Sequence, residues 1–157
     1  MNLLIDTYRP EHAHAFAELN RAWLVENDLL EPLDEEQLQN PDREILAPGG
    51  QIFVALNGEE VLGTCAAIPH GPGVFELAKL AVSPTVRGLG LGRKLVTACV
   101  SWARDHAAHR LVLVSNSRLR PALRLYETFG FEHRTPPSPI PYATADVYME
   151  LDLKGGT

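Results

Sequence analysis

Short apolar runs broken by turn residues alternate with stretches in which apolar side chains recur every three or four residues. Those two periods predict a chain of mixed strands and helices. Residues 3–8 are apolar and β-branched and stop at Arg9-Pro10, as a first strand would. Over 11–25, Ala15, Phe16, Leu19 and Trp23 fall at helical spacing, with Pro10 near the first turn. A short helix is expected over 34–39, opened by Asp34 as a cap and ended by Asn40-Pro41, with a loop over 41–50.

Two strands, 51–56 and 60–68, flank Asn57-Gly58, a two-residue hairpin signal. After Pro69 and the turn His70-Gly71-Pro72-Gly73, residues 74–82 read as a third antiparallel strand. Leu91, Leu95, Cys99, Trp102 and His106 form one stripe of the next helix, supported by Val96 and Ala103. The apolar run 110–114 suits a strand buried on both faces and parallel to its predecessor. Leu119, Ala122, Leu125, Tyr126 and Phe129 then recur at helical spacing, with Pro121 near the first turn and Gly130 as the residue after the helix end. Strands are expected at 131–134 and 145–153, separated by a Pro-rich loop over 135–141 and followed by a frayed tail at 154–157.

Composition narrows the class. The 157 residues suit one domain, 1–157, with 45% hydrophobic and 22% charged residues. A net charge of −6 argues against a nucleic-acid binder. Cys65 and Cys99 lie alone in apolar segments, as buried free thiols of a reducing compartment would. Neither a signal peptide nor a membrane span is visible, so a cytoplasmic protein with no membrane partner is expected. His12 and His14 fall on different helical faces and make no metal pair; they, His106 and His109 read as surface residues, and no metal is expected.

The candidate chemistry gathers at Arg87-Gly88-Leu89-Gly90-Leu91-Gly92, between a strand and a helix. Alternate glycines clear Cβ bulk from a helix start, where unpartnered N–H groups favour an anion. Arg87, Arg93 and Lys94 add positive charge, so the stretch reads as a phosphate cradle. A Walker A loop is excluded because Gly92 is followed by Arg93-Lys94-Leu95. The dinucleotide pattern fails because Arg93 stands where a third glycine is needed.

What does fit is [RQ]-x-x-G-x-[GA], filled by Arg87, Gly90 and Gly92, with a second segment Ala122-x-x-Leu125-Tyr126-x-x-x-Gly130-Phe131. With these two motifs around their elements, the sequence resembles the GNAT superfamily of acyl-CoA-dependent N-acetyltransferases. The resemblance implies an α/β fold with a mixed, mostly antiparallel sheet of about seven strands. A central parallel pair would splay apart, and about four helices would flank the sheet. It implies an enzyme moving an acetyl group from acetyl-CoA to a primary amine, small-molecule or protein, by direct attack. The rival expectation is a non-catalytic acyl-CoA-binding module of the same fold.

By the same resemblance, Gly88, Leu89, Gly90, Leu91 and Gly92, with Arg87 and Arg93, would hold the CoA pyrophosphate. The backbone of Leu80, Ala81 and Val82 would pair with the pantetheine arm, and Asn116 would bond that arm or cap the following helix. Tyr126 would protonate the leaving thiolate and Glu76 would accept the amine proton. Strict alternation puts Glu76 on one face with Ala78, Leu80 and Val82, and Lys79 on the other. Trp23, Leu29, Leu30 and Tyr142 would wall the acceptor pocket. A homodimer is a further expectation, with the last strand as an available edge.

Overall fold

The structure, a computed structural model, describes residues 2–153; the tail expected at 154–157 lies outside them. Seven strands form one sheet in the order β1-β2-β3-β4-β5-β7-β6. They are β1 Leu3–Thr7, β2 Gln51–Asn57, β3 Glu60–Gly71, β4 Val74–Val82, β5 Arg110–Ser115, β6 Glu132–His133 and β7 Val147–Asp152. Four helices accompany them: α1 Ala13–Glu26, α2 Pro32–Gln39, α3 Leu91–Asp105 and α4 Arg120–Thr128.

Apolar side chains on the two sheet faces build two cores. One joins α3 to the sheet through Leu95, Val96, Cys99, Leu111, Leu113 and Met149, all essentially without exposure. The other joins α1 and α2 to it through Phe16, Leu38, Ile52, Val54 and Ala66. The apolar stripe of α3 therefore faces the sheet, as its spacing requires.

The only parallel pair among the described strands is β4 with β5, and it is short. Val74, Phe75 and Glu76 pair with Arg110, Leu111 and Val112. Beyond Glu76, β4 runs on to Val82 and β5 to Ser115 without pairing to each other. This is the expected splay, and it opens the sheet at its centre.

Several local expectations are corrected. Asp34 does not cap α2: Glu31 holds the cap position, and Asp34, inside the first turn, accepts the Glu31 N–H through Oδ2 at 3.0 Å. The loop expected over 41–50 contains a π-helical turn, Asp42–Leu46, because the Ala47 N–H reaches back to the Asp42 carbonyl at 2.7 Å and Ile45 is fully buried. His12 is buried, its Nδ1 accepting the Arg9 N–H at 2.9 Å. Strand β7 is not a free edge, since β6 covers Met149 and Glu150; the sheet edges are β1 and β6.

The largest departure lies in β4. Thr64 pairs with Ala81 and Ala66 with Ala78, so β4 carries an extra residue against β3, a β-bulge. Lys79 sits in it at φ +56°, left-handed for a residue with a Cβ. The bulge breaks the strict alternation. Ala78 packs with the α1/α2 core, whereas Leu80 and Val82 turn to the α3 core, and Lys79 joins the α1/α2 side instead of opposing Glu76.

Candidate active site

A cavity of about 120 Å³ occupies the splay. Its walls come from the β4 stretch around Glu76 and Lys79, the end of β5, Tyr126 of α4, Trp23 of α1, Asp34 of α2 and Tyr142 of the late loop. The first three bring together residues singled out in the sequence: Glu76, Leu80, Asn116 and Tyr126 all line it. Trp23, Leu29 and Tyr142 do so too, whereas Leu30 does not.

Glu76 presents its carboxyl to this space with no hydrogen bond to any described residue. Burial pushes its pKa above the ordinary carboxylate value, and the negative charge of Asp34 pushes the same way. The charges of His70 and Lys79 oppose that shift without cancelling it. The Tyr126 hydroxyl also has no partner among the described residues. The ring meets Phe131 edge-on, at 6.0 Å between centroids, and burial pushes its pKa well above the usual phenol value. The phenol therefore keeps its proton at neutral pH.

Asn116 ties the site together instead of standing free. Its Nδ2 donates to the Thr144 carbonyl at 2.6 Å and its Oδ1 accepts the Arg118 N–H at 2.9 Å. The cap position of α4 is Leu119, so Asn116 fixes the β5–α4 loop and does not cap the helix. Glu31 holds the same late loop. Its carboxylate accepts the Ala143 and Thr144 N–H groups at 3.0 Å each, and the Thr144 hydroxyl at 2.6 Å. These bonds, the hydroxyl first, hold the Glu31 carboxyl below its ordinary value.

Lys79 and Asp34 were not legible as site residues. The Lys79 Nζ donates to Asp34 Oδ1 at 2.6 Å, and the two side chains are 5% and 6% exposed. The Tyr142 ring lies 5.9 Å from the same ammonium. Behind them Asn20 Nδ2 donates to Thr64 Oγ1, whose hydroxyl donates to the Lys79 carbonyl and secures the bulge. The available signal was two opposite charges, Glu76 and Lys79, inside an otherwise apolar strand.

The glycine loop forms a second hollow further along β4. Val82, Arg87, Gly88, Gly90, Gly92, Arg93 and Leu125 line it, while Ala81 and Leu89 line neither cavity. Gly90 caps α3 in the left-handed region at φ +76°, which a residue with a Cβ adopts only with strain. The first intrahelical bond is from the Lys94 N–H to the Gly90 carbonyl, so the N–H groups of Leu91, Gly92 and Arg93 have no helix partner. Arg87 makes exposed contacts of 3.3–3.4 Å to Glu26. Arg93 lies over the Phe129 ring and donates to Thr128 at 3.1 Å, so it braces α3 against α4 beside the hollow. Of the remaining histidines, His133 pairs with Glu127 on the surface, and His106 stacks on Trp102.

The fold as a whole is shared with known proteins. An acetyltransferase of the GNAT family from Staphylococcus aureus superposes with a TM-score of 0.86 at 20% identity, covering 98% of this chain and 100% of that one. A Salmonella typhimurium protein solved with its cofactor acetyl-CoA superposes with a TM-score of 0.74 at 22% identity, covering 100% of this chain and 97% of that one. In sequence, an uncharacterized N-acetyltransferase of Schizosaccharomyces pombe is 37% identical over 123 residues, 76% of this chain and 74% of its own. Against rat N-acetyltransferase 8 the chain is 33% identical over 54% of its length and spans only 40% of that relative. The family described as Acetyltransferase (GNAT) matches residues 5–131, a stretch that runs from within β1 to Phe131 after α4 and contains the lining of the glycine hollow and that of the central cavity apart from Tyr142, Thr144 and Ala145. With motif, topology and relatives in agreement, the chain belongs to the GNAT acetyltransferase family.

Proposed function

We propose that the protein transfers an acetyl group from acetyl-CoA to a primary amine by direct attack within a ternary complex. The observation that carries this reading is the meeting of Glu76 and Tyr126, two groups with open hydrogen-bonding capacity, in one cavity at the splay. The Salmonella relative binds acetyl-CoA, and the glycine hollow suits its pyrophosphate. Free N–H groups at the start of α3 point the positive end of the helix at it, and Arg87 stands at the rim.

Each residue then has one task. The unpaired stretch of β4 offers backbone groups to the pantetheine arm as a further strand would. Glu76, whose hold on a proton is strengthened by burial, takes the proton of the incoming ammonium once ionised, directly or through one water. The neutral nitrogen attacks the thioester carbon, a C–N bond forms, and the C–S bond breaks. Tyr126 gives its proton to the departing sulfur, and the second proton that the nitrogen sheds as the amide forms returns to the Tyr126 oxygen, directly or through water. Cys65 and Cys99 are fully buried, so a covalent acetyl-cysteine has no accessible nucleophile among the described residues.

The test is calorimetry with acetyl-CoA followed by a broad amine panel on the purified protein. Saturable binding with acetylation of at least one amine supports the reading. Binding without acetylation of any amine replaces it with a non-catalytic acyl-CoA-binding module, and absence of binding sinks both. We further propose a cytoplasmic homodimer, and light scattering of the purified chain tests the dimer.

A further inference from the structure

Glu76, Tyr126 and Lys79 are three of the polar groups that line the central cavity with hydrogen-bonding capacity to spare. Glu76 and Tyr126 have tasks in the reaction proposed above, and the third, Lys79, has none. It is the only lysine, arginine or histidine among the described residues lining that cavity. An ammonium carries three N–H donors. One goes to Asp34 Oδ1 at 2.6 Å, and the Tyr142 ring, 5.9 Å away, takes up charge without saturating the others.

Stability alone does not account for a lysine in this place. A lysine at φ +56° inside a strand is strained, and strained residues gather at functional sites. A buried ion pair is also seldom more stabilising than apolar packing of the same volume. Both features fall on one side chain at the cavity wall. The charge is held in position from behind: Asp34 Oδ2 accepts the Glu31 N–H, and the Lys79 carbonyl accepts the Thr64 hydroxyl.

Resting on the acetyl-transfer reading, we propose that Lys79 reads the acceptor, binding a carbonyl-type oxygen carried by the same molecule whose amine is delivered to Glu76. Its partner cannot be a second cation, which the ammonium would repel. It is an oxygen acceptor, either a carboxylate or the carbonyl of an amide. Glu76 precedes Lys79 on the same strand, and the bulge brings Lys79 to the Glu76 side of the sheet. One small bifunctional molecule can therefore address both. Polyamines and plain alkylamines lack the required oxygen.

Matched triplets test this, each made of an amino acid, its amide and the decarboxylated amine, across small, aliphatic, aromatic and basic side chains. In the triplet with the highest kcat/KM, an oxygen-bearing member should exceed the decarboxylated amine at least tenfold. The ranking of acid against amide identifies the source of the oxygen. K79M should bring that ratio close to one while acetyl-CoA affinity is kept. Because K79M leaves Asp34 buried without its partner, D34N/K79M, which removes both charges together, is assayed beside it and should give the same ratio. A decarboxylated amine as good as its partners overturns the inference, as does a K79M or D34N/K79M variant that slows every member by one factor. Those results leave acetyl transfer standing, whereas failure to bind acetyl-CoA or to acetylate any amine removes the acetyl-transfer reading itself.

Discussion

Lys79 Nζ and Asp34 Oδ1 meet at 2.6 Å between β4 and α2, and both side chains are almost wholly shielded from water. Removing one partner leaves the other charged in a poorly solvated place, a change that typically costs about 3–5 kcal/mol. D34A should therefore lower the urea midpoint strongly at unchanged m-value. The Arg87–Glu26 pair offers the contrast, with side chains 46% and 54% exposed and contacts at 3.3 Å or longer. Its loss in E26Q should move stability by less than ~1 kcal/mol. Equal midpoints for D34A and the wild type would show that the buried pair is not held as described.

The same pair marks where the sequence stopped being legible. Periods and turn residues disclosed the element order, because those signals are local, whereas the splay and the joining of Glu76 and Tyr126 in one region were implied by the resemblance that the two motifs carry. The bulge is not local. It depends on how β4 meets β3, and the pairing of Thr64 with Ala81 and Ala66 with Ala78 is invisible to a reading of β4 alone. Asp34 was read as a cap because Asp often caps helices, yet Pro32 starts α2 two residues earlier and turns that carboxylate inward. Asn116 was assigned to ligand or cap, and only the late loop folding over it shows the Thr144 carbonyl that it serves.

Glu76 gives a prediction with a sign. Its pKa is raised above the ordinary 4.5 chiefly by burial, with Asp34 adding to the rise while His70 and Lys79 reduce it; Tyr142 faces it across the cavity from the late loop. The folded state thus binds the proton more tightly than the unfolded chain. That contribution is fully present below pH 4.5 and is lost as pH rises through the folded value. E76Q cannot ionise, so it should gain stability relative to wild type between pH 5 and pH 8, by thermal melts at both. Its turnover should fall ~10²-fold or more, with acetyl-CoA affinity retained and the acidic limb of the pH profile gone. A limb that persists in E76Q would assign the base elsewhere.

Tyr126 gives the complementary case. Burial raises its phenol, so ionisation of Tyr126 should contribute no alkaline limb below about pH 10. Y126F should reduce kcat with little change in the calorimetric affinity for acetyl-CoA, because the ring and its packing on Phe131 remain. Loss of affinity with unchanged kcat would recast Tyr126 as a binding residue.

Gly50 tests the packing that carries the acceptor side of the sheet. A Cβ there would stand 2.5 Å from the Ala67 carbonyl oxygen and 2.6 Å from that of Ile45. Both are backbone atoms of ordered elements that cannot turn aside, and overpacking of this kind costs typically ~1–3 kcal/mol. Gly58, in the hairpin turn at φ +63°, has nothing near its would-be Cβ. G58A should then show only the left-handed penalty of roughly 1–2 kcal/mol. The expected order in chemical denaturation is wild type, then G58A, then G50A.

The glycine hollow gives the last prediction, built on an exchange of partners. Arg87 rests against Glu26 in weak, exposed contacts, so a pyrophosphate arriving at the start of α3 can draw it away at little cost. R87A should weaken acetyl-CoA about tenfold at low salt, ~1.4 kcal/mol, while the N–H groups of Leu91, Gly92 and Arg93 keep a residual site. E26Q should act oppositely, tightening binding a few-fold by releasing Arg87 from its resting partner. Both effects should shrink as salt rises, since screening shortens from about 10 Å at 0.1 M to about 3 Å at 1 M. Titration calorimetry of both variants at two salt concentrations reads all of this at once. Weaker binding in E26Q would mean that Glu26 orients Arg87 toward the ligand instead of competing with it, and salt-independent differences would place the effect in packing and not in charge.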